Sequence, residues 1–290
     1  MEFITANNKA EALAILDRLR GDAAILAGGT TAMAKLARKA LTPKAILHLG
    51  RLTELRFIEN DEAGGRLKIG ALVTLRELAA APELARYASV REAAAVCGGW
   101  QSQSVGTIGG NICNATVNAD LVPPLLVHGA MVVLESEKAG IRSIPLSQFV
   151  AERHETRLSR GDLVVAVILD PVGARTADTF TKVGRRSAME LSIASIAVRL
   201  TLAKERRVED VRIAVGAFAV APFRANDAEA FLRQKLLTEE AIAEAAGLIL
   251  SAASPAADVA GTAEYRRMVL PRVFGRVVRY CALAVPDAKR

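Results

Sequence analysis

The sequence predicts an α+β protein with two N-terminal subdomains and a C-terminal α+β domain. The first fifty or so residues follow a β–turn–helix–β pattern, and the stretch after Pro171 and Gly173 contains predicted strands followed by predicted helices. With 290 residues, of which 51% are hydrophobic, the chain can bury the cores of two or three compact units. We place the two subdomains at about residues 1–54 and 55–175, and the C-terminal domain at about residues 176–290.

The opening unit has clear local patterning. Residues Lys9–Leu19 place leucines along one side of a predicted amphipathic helix. Short apolar runs at residues 23–27 and 45–49 predict two strands, and a second helix is predicted at residues 31–38. The first glycine-rich turn of the chain therefore lies between a strand and a helix.

Capping and turn signals define the middle region. Thr74 and Glu77 form a capping box at the start of a short helix. Pro123 and Pro124 fall in the first turn of another helix, where a missing N–H costs little. Strands are predicted at residues 55–58, 66–73, 131–135 and 162–170, and helices at residues 74–80, 82–96 and 120–128.

The C-terminal region is predicted to contain three strands followed by three helices. In the last of these helices, apolar residues share one side that we expect to be core, and arginines occupy a remainder that we expect to be exposed. The strands cover residues 179–183, 193–202 and 211–219, and the helices cover residues 225–234, 238–251 and 262–283. The apolar set is Met268, Val269, Val273, Val277 and Tyr280, and the basic set is Arg266, Arg267, Arg272, Arg276 and Arg279.

Composition and charge exclude several classes of protein. The longest apolar stretch, residues 121–134, is interrupted by two prolines and a histidine and is too short to span a bilayer. The N-terminus lacks a basic region followed by an apolar core, so we expect no secretory signal and a cytoplasmic protein. A net charge of +7 fits nucleic acid, an acidic partner, or a basic composition spread over solvated helices, and we favour the last of these. Because only 4% of the residues are aromatic and they do not alternate with basic ones, we expect no nucleic-acid binding.

The cysteines and histidines do not have the spacing of a metal or catalytic site. Cys97, Cys113 and Cys281 lie far apart and no Cys-x-x-Cys is present, which predicts reduced thiols and neither zinc nor an iron–sulfur cluster in this chain. No histidine has a nucleophile or carboxylate at a recognisable spacing. We therefore predict no catalytic side chain and no metal ligand.

Two glycine-rich segments about eighty residues apart carry the functional signal. Residues 25–32 (Ile-Leu-Ala-Gly-Gly-Thr-Thr-Ala) and 107–111 (Thr-Ile-Gly-Gly-Asn) place paired glycines where an apolar strand gives way to a turn. Glycine backbone can approach a ligand closely, and its N–H groups can converge on an anion. Neither segment is a Rossmann or Walker A loop. A pair of such loops predicts a long ligand with a diphosphate in its middle, although each could be a plain structural turn.

The two segments together resemble the FAD-binding medium subunit of the molybdenum hydroxylases, the family of carbon monoxide dehydrogenase and xanthine dehydrogenase. That family carries an Ala-Gly-Gly-Thr-type loop and a Thr-Ile-Gly-Gly-Asn loop, which residues 27–30 and 107–111 match. Further matches lie at residues 112–120, 182–186 and 263–268, so the resemblance covers essentially the whole chain. It implies a two-subdomain, PCMH-type FAD-binding fold that holds FAD between the subdomains.

The resemblance also implies which residues contact FAD. Asp120 would contact the ribityl chain or the ring edge, although it also fits the N-cap of the following helix. Lys182 would lie beside the isoalloxazine ring, although a solvated turn is an alternative, and Val165 and Cys97 would contact the flavin. The complete set is Ile25, Leu26, Ala27, Gly28, Gly29, Thr30, Thr31, Ala32, Cys97, Thr107, Ile108, Gly109, Gly110, Asn111, Asp120, Val165 and Lys182.

The same resemblance implies partner subunits that hold the other cofactors. A large subunit would carry a molybdopterin-type cofactor and a small subunit two [2Fe–2S] clusters, in a heterotrimer that dimerises. The flavin would pass electrons to NAD⁺, a quinone or another acceptor. Many relatives have an Arg-Asn-Arg-like run before the second glycine segment, where this chain has Gln103, Ser104 and Val105. The alternatives are a stand-alone flavin reductase of the same FAD-binding superfamily and a non-enzymatic phosphate or nucleic-acid binding protein.

Overall fold

The computed structural model describes residues 1–61, 65–152, 154–186 and 189–286. It contains three principal sheets, with helices packed against each, and confirms the predicted α+β class. In these ranges no helix is both long and apolar enough to cross a membrane.

The first sheet is small and parallel, with strand order β1-β3-β2. The first helix has the predicted bounds because its leucines pack inward and Asn8 caps it by accepting from the Glu11 amide. The first strand was not predicted, since it is four residues long and largely exposed. This unit comprises β1 (Glu2–Thr5), α1 (Lys9–Leu19), β2 (Ala23–Leu26), α2 (Ala32–Ala37) and β3 (Ala45–His48).

The second sheet has five antiparallel strands in the order β4-β5-β10-β6-β7. Its strands are β4 (Ile58–Asn60), β5 (Leu67–Gly70), β6 (Met131–Ser136), β7 (Gly140–Pro145) and β10 (Leu163–Leu169), and a small β8 (Val150–Glu152) and β9 (Glu155–Thr156) pair lies beside it. The helices of this region are α3 (Leu75–Ala80), α4 (Ala88–Val96), α5 (Trp100–Val105), α6 (Ile108–Asn114), α7 (Val122–Val127) and α8 (Leu146–Phe149).

Two predictions for the middle region were wrong in detail. The strand predicted at residues 55–58 is a 3₁₀ turn at Thr53–Leu55 followed by β4. The helix predicted from Pro82 is a 3₁₀ turn at Pro82–Leu84, and α4 begins only at Ala88. Tyr87, the residue before α4, has non-helical backbone angles (φ −121°, ψ 58°), and its buried side chain donates to the Asp170 carbonyl, so the helix is interrupted there.

The third sheet has four antiparallel strands in sequential order, with three helices after them. The central helix α7 packs against its strands, and Phe180, Ala197 and Ala214 join the core that the middle region builds around that helix. The middle region and the third sheet therefore share a hydrophobic core. The elements are β11 (Thr176–Val183), β12 (Ala194–Leu202), β13 (Val208–Gly216), β14 (Phe223–Arg224), α9 (Asn226–Leu232), α10 (Glu239–Ala252) and α11 (Ala263–Ala284).

The prediction for the last helix needs correction at three positions. Met268 and Tyr280, expected in the core, are more than half exposed. Arg266, expected on an exposed basic face, is 1% exposed. Its guanidinium donates to the carbonyls of Ile193 and Ala217, and a carboxylate 2.5 Å away adds an ion pair. These partners satisfy both terminal nitrogens of the buried guanidinium, although its Nε has no hydrogen-bond partner among the described residues.

Candidate cofactor site

The two glycine-rich segments lie against one cavity of about 550 Å³ between the first two sheets. The cavity brings together most of the residues predicted to bind a cofactor. From that set it is lined by Ile25, Ala27, Gly28, Gly29, Thr30, Thr31, Ala32, Cys97, Thr107, Gly109, Gly110 and Asn111. Leu26 and Ile108 are instead buried in the hydrophobic core beneath it.

The two glycines of the first segment are required for different reasons. A Cβ on Gly28 would overlap the carbonyl of Val105, at the end of α5. Gly29 has a φ of +74°, a backbone conformation that other residues rarely adopt. Packing against the end of α5 therefore requires Gly28, and the turn itself favours glycine at residue 29.

Backbone amides of the first segment are free to bind a ligand. Among the described residues, none accepts a hydrogen bond from the N–H of Gly28, Gly29, Thr30 or Thr31. These amides precede α2, where the helix dipole adds partial positive charge. The cluster fits an anion such as a diphosphate.

The second segment differs from the open anion-binding loop that its glycines predict. It forms the first turn of α6, and Thr107 is the N-cap, accepting from the Gly110 amide at 3.1 Å. The amides of Ile108 and Gly109 donate to the carbonyls of Val73 and Ala71, so they are already satisfied. This segment therefore offers a ligand mainly its surface and side chains.

The two glycines of the second segment have different surroundings. A Cβ on Gly109 would lie 2.8 Å from the carbonyl oxygen of Ala71, so this glycine is required by packing against the loop after β5. A Cβ on Gly110 would meet only the hydroxyl of Thr107, at 3.0 Å, and Gly110 is exposed towards the cavity.

Asn111 offers the cavity an unsatisfied polar atom. Its side-chain oxygen is buried without a hydrogen-bond partner, while its amide nitrogen lies 3.7 Å from the Cys97 sulfur. An orphaned buried acceptor is costly unless a ligand supplies the donor. A hydroxyl group, such as those of a ribityl chain, has the chemistry that this atom lacks.

Asp120 and Lys182 do not line this cavity, but they form a buried charge pair in contact with Cys97, which does. The Lys182 Nζ lies 2.6 Å from Asp120 Oδ2, and the Ser192 hydroxyl donates to Asp120 Oδ1, also at 2.6 Å. The Cys97 thiol, which lines the cavity, is hydrogen-bonded to the same carboxylate. The structure thus brings Cys97, Asn111, Asp120 and Lys182 into one cluster.

Burial controls the titration of this cluster. Burial raises the pKa of Asp120, while Lys182, Ser192 and the Cys97 thiol act in the opposite direction. Burial, with the nearby Asp120 carboxylate, raises the pKa of Cys97 to about 12. Cys97 is therefore a neutral thiol and not a nucleophile at physiological pH.

The family resemblance implied that Val165 contacts the flavin, but Val165 does not line the cavity. The register of β10 against β6 shifts between Val164 and Ala166, which makes Val165 the extra residue of a β-bulge. Its side chain joins the core around α1 and β3, while Leu163 and Val164 line the cavity.

A second cavity, of about 1060 Å³, is lined by Lys182. It is formed by α4, the end of β11, the segment after that strand and α11. Arg272 and Arg276 project from α11 into it and form no ion pair within the described residues. Arg185 and Arg186 lie opposite and pair with Glu190. This cavity is therefore strongly basic.

Sequence patterns did not identify two polar residues of the candidate site, one in the first cavity and one at the charge pair. Lys35 is the one basic side chain in the part of its lining that the structure describes, with its Nζ 3.4 Å from the Asn114 side-chain oxygen. Its position one turn after the glycines was an available signal. Ser192 has no motif around it and becomes visible only through its contact with Asp120.

The donor set fits a flavin dinucleotide. The free amides and Lys35 suit a diphosphate, the Asn111 oxygen suits a hydroxyl, and Cys97 in the cavity wall contacts a buried charge pair. This combination on a two-part α+β scaffold defines an FAD-binding flavoprotein.

Residues 1–171 match the family described as FAD binding domain in molybdopterin dehydrogenase, and residues 179–281 match CO dehydrogenase flavoprotein C-terminal domain. The chain belongs to this family of FAD-binding subunits of molybdenum-containing dehydrogenases.

Individual relatives agree with this assignment over nearly their whole length. The glyceraldehyde dehydrogenase medium chain of Sulfolobus acidocaldarius is 29% identical over 272 residues, covering 92% of this chain and 93% of that protein. Carbon monoxide dehydrogenase from Hydrogenophaga pseudoflava matches with a TM-score of 0.93 at 28% identity, over 99% of this chain and 98% of that one. Quinoline 2-oxidoreductase from Pseudomonas putida 86 matches with a TM-score of 0.89 at 26% identity, over 98% and 97%. The predicted family, fold and FAD cofactor are confirmed.

Proposed function

We propose that this chain is the FAD-binding electron-transfer subunit of a heterotrimeric molybdenum hydroxylase. One observation carries the proposal: one cavity joins the free amides of residues 28–31 to Cys97, whose thiol is hydrogen-bonded to Asp120 of the Asp120–Lys182 pair. The free amides suit the diphosphate in the middle of FAD, and the charge pair would face the ring at one end of the cofactor. We propose a division at about residue 175, with FAD bound by the first part and covered by the second.

The residues of the site would divide the work of binding. Residues 27–32 would hold the diphosphate through their amides, with Lys35 supplying positive charge. Gly110 would leave room for the dinucleotide, and Asn111 would accept from a ribityl hydroxyl. Asp120, Lys182 and Cys97 would lie by the isoalloxazine ring, and Val165 would support the adjoining wall from the core.

When bound, FAD supplies the redox chemistry, receiving electrons from the [2Fe–2S] clusters of a small subunit and delivering them to an external acceptor. The residues of this chain bind the cofactor, exclude water and set the charge around it. Lys182 places a cation where negative charge develops when the flavin is reduced, and the Asp120 carboxylate offsets part of that positive charge. The substrate would be oxidised in a large subunit that carries the molybdenum cofactor.

The basic second cavity supports a binding role for the surface next to Lys182. Its four arginines would attract an acidic iron–sulfur subunit or an anionic acceptor such as NAD⁺, with a quinone as the alternative acceptor. We propose that the heterotrimer dimerises and functions in the cytoplasm, and that the positive charge of the chain serves protein contacts and not nucleic acid.

Isolation of the complex through a tag on this chain, expressed at its native level, tests the proposal. The complex should contain FAD, iron and molybdenum, whereas this chain expressed alone should contain FAD without stoichiometric iron or molybdenum. In dithionite-reduced complex, reoxidation of the iron–sulfur clusters by the acceptor should require bound FAD. A chain that binds FAD, co-purifies with no metal-containing partner and oxidises a nicotinamide cofactor by itself would instead be a stand-alone flavin reductase.

A further inference from the structure

Ser192 is a buried hydroxyl at the junction of the two parts of the chain. It lies just before β12, is fully buried, and its Oγ donates to Asp120 Oδ1 at 2.6 Å. Asp120 belongs to the middle region, whereas Lys182 and Ser192 belong to the third sheet and its approach. One carboxylate therefore receives two donors from the opposite part of the molecule.

We propose that Ser192 is a positioning residue for the flavin site: by holding Asp120, it fixes the Asp120–Lys182 pair and thereby sets the reduction potential of the bound FAD. This inference rests on the proposed function, because it assumes that FAD lies beside the pair.

The geometry of the carboxylate supports this role. Lys182 contacts Oδ2 and Ser192 contacts Oδ1, so the two donors occupy different oxygens and restrict rotation of the group. With Ser192 removed, only Lys182 and the Cys97 thiol, a weak donor, would hold the carboxylate, and its rotation would be less restricted.

The backbone on the far side of Ser192 is also held firmly. The Ile193 amide donates to the Val183 carbonyl at 2.7 Å, and the Ile193 carbonyl accepts from Arg266 Nη1 at 2.6 Å. The same guanidinium nitrogen binds the Ala217 carbonyl. The hydroxyl of Ser192 is thus presented to Asp120 from a rigid support, which a positioning role requires.

Loss of the hydroxyl has an electrostatic consequence that can be measured. The charged or titratable groups that face Asp120 are Lys182 on β11 and Cys97 after α4. Burial raises the pKa of Asp120, and the Ser192 hydrogen bond works against that rise. Without Ser192 the carboxylate should take up a proton at higher pH. Once it is neutral, the Lys182 charge is uncompensated and the flavin becomes easier to reduce.

The test uses the full chain loaded with FAD, whose midpoint potential is measured across a pH series by equilibration with redox dyes. In the plot of midpoint potential against pH we expect a bend, where the slope becomes steeper over the pH range in which Asp120 takes up a proton. In Ser192→Ala this bend should move up by about one pH unit, the range expected for loss of a hydrogen bond to a charged group. Ser192→Thr, which keeps the hydroxyl, should restore it. Ser195→Ala, at another buried serine three residues further along, should leave the bend in place.

The possible outcomes separate this inference from the proposed function. If wild-type chain fails to bind FAD, the proposed function fails first. If it binds FAD and Ser192→Ala shows the wild-type bend, the positioning role is overturned. Should Ser192→Ala not fold, Asp120→Asn serves as the second variant: it should abolish the bend, and a persisting bend would overturn the inference.

Discussion

The carboxylate of Asp120 and the ammonium group of Lys182 lie 2.6 Å apart, although 61 residues of chain separate them. Both side chains are about nine-tenths buried. Removal of one partner from such a pair leaves an uncompensated buried charge, while removal of both is tolerated better. The pair thus connects the two parts of the molecule and places opposite charges where we propose that the flavin ring lies.

We predict that Lys182→Met lowers the reduction potential of the bound FAD. Removal of the cation takes away stabilisation of the negative charge gained on reduction, by about 1–3 kcal/mol at this degree of burial. Redox titration of the FAD-loaded chain above the pH at which Asp120 titrates measures the shift. The double variant with Asp120→Asn is the control, and its potential should return towards the wild-type value. An unchanged potential in Lys182→Met would remove this lysine from the flavin site.

The two glycines of the second segment should respond differently to substitution. Gly110→Val adds atoms on the cavity side and should weaken FAD binding by at least about tenfold, or 1.4 kcal/mol, with little change in the stability of the apoprotein. Gly109→Val drives a side chain into the backbone of Ala71 and should lower the free energy of unfolding by about 1–3 kcal/mol. Flavin titration and urea unfolding distinguish the two effects. Full FAD affinity in Gly110→Val would refute the placement of the dinucleotide.

We predict that Arg272→Glu together with Arg276→Glu leaves FAD content normal but slows assembly or acceptor reduction. Both side chains are exposed and line the basic cavity, away from the glycine segments. The effect should be largest at low salt, because salt screens such steering. Complex mass and acceptor-reduction rate across a salt series provide the measurement. Arg267→Glu, at an exposed position that does not line this cavity, is the matched control.

His128 should make the free energy of unfolding depend on pH. Its Nε2 lies 3.0 Å from Asp178 Oδ2 and 3.2 Å from the Ser89 hydroxyl, and burial lowers its pKa below 6.5. Below about pH 6.5 the unfolded chain therefore binds a proton that the folded chain does not, and stability should fall as pH falls through this range towards the folded pKa. Burial raises the pKa of Asp178 but its hydrogen bonds to His128 and Ser89 outweigh that effect, so its own contribution is lost only below about pH 3.8.

Urea unfolding between about pH 5 and 7.5 tests this dependence. His128→Gln retains an N–H donor for Asp178 but cannot titrate, so the slope of unfolding free energy against pH should flatten. His154→Gln changes an exposed histidine and should preserve most of the slope. Equal slopes in wild type and His128→Gln would show that the buried histidine does not control the dependence.

Several elements were predictable because local chemistry and tertiary packing agree. Helix α1 has the predicted bounds since its leucine spacing and the Asn8 cap both act locally. The capping box of Thr74 and Glu77 is present for the same reason. The two glycine segments were recognised through their residue types, and the structure brings them to one cavity.

Other features depend on contacts between distant residues and had no local signal. The bulge that turns Val165 into the core is a property of strand pairing. Arg266 is buried because carbonyls from two other segments surround it. The first turn of α6 carries two glycines, which disfavour helix, yet Thr107 caps it and packing against Ala71 holds it.

The central claim is that this chain alone binds one FAD, with the dinucleotide between the two glycine segments. Calorimetric titration of the flavin-free chain with FAD and, separately, with FMN tests it most directly. We predict non-covalent binding of about one FAD per chain and much weaker binding of FMN, because the free amides of residues 28–31 suit a diphosphate. Equal affinity for FMN, or no binding of FAD, would contradict it.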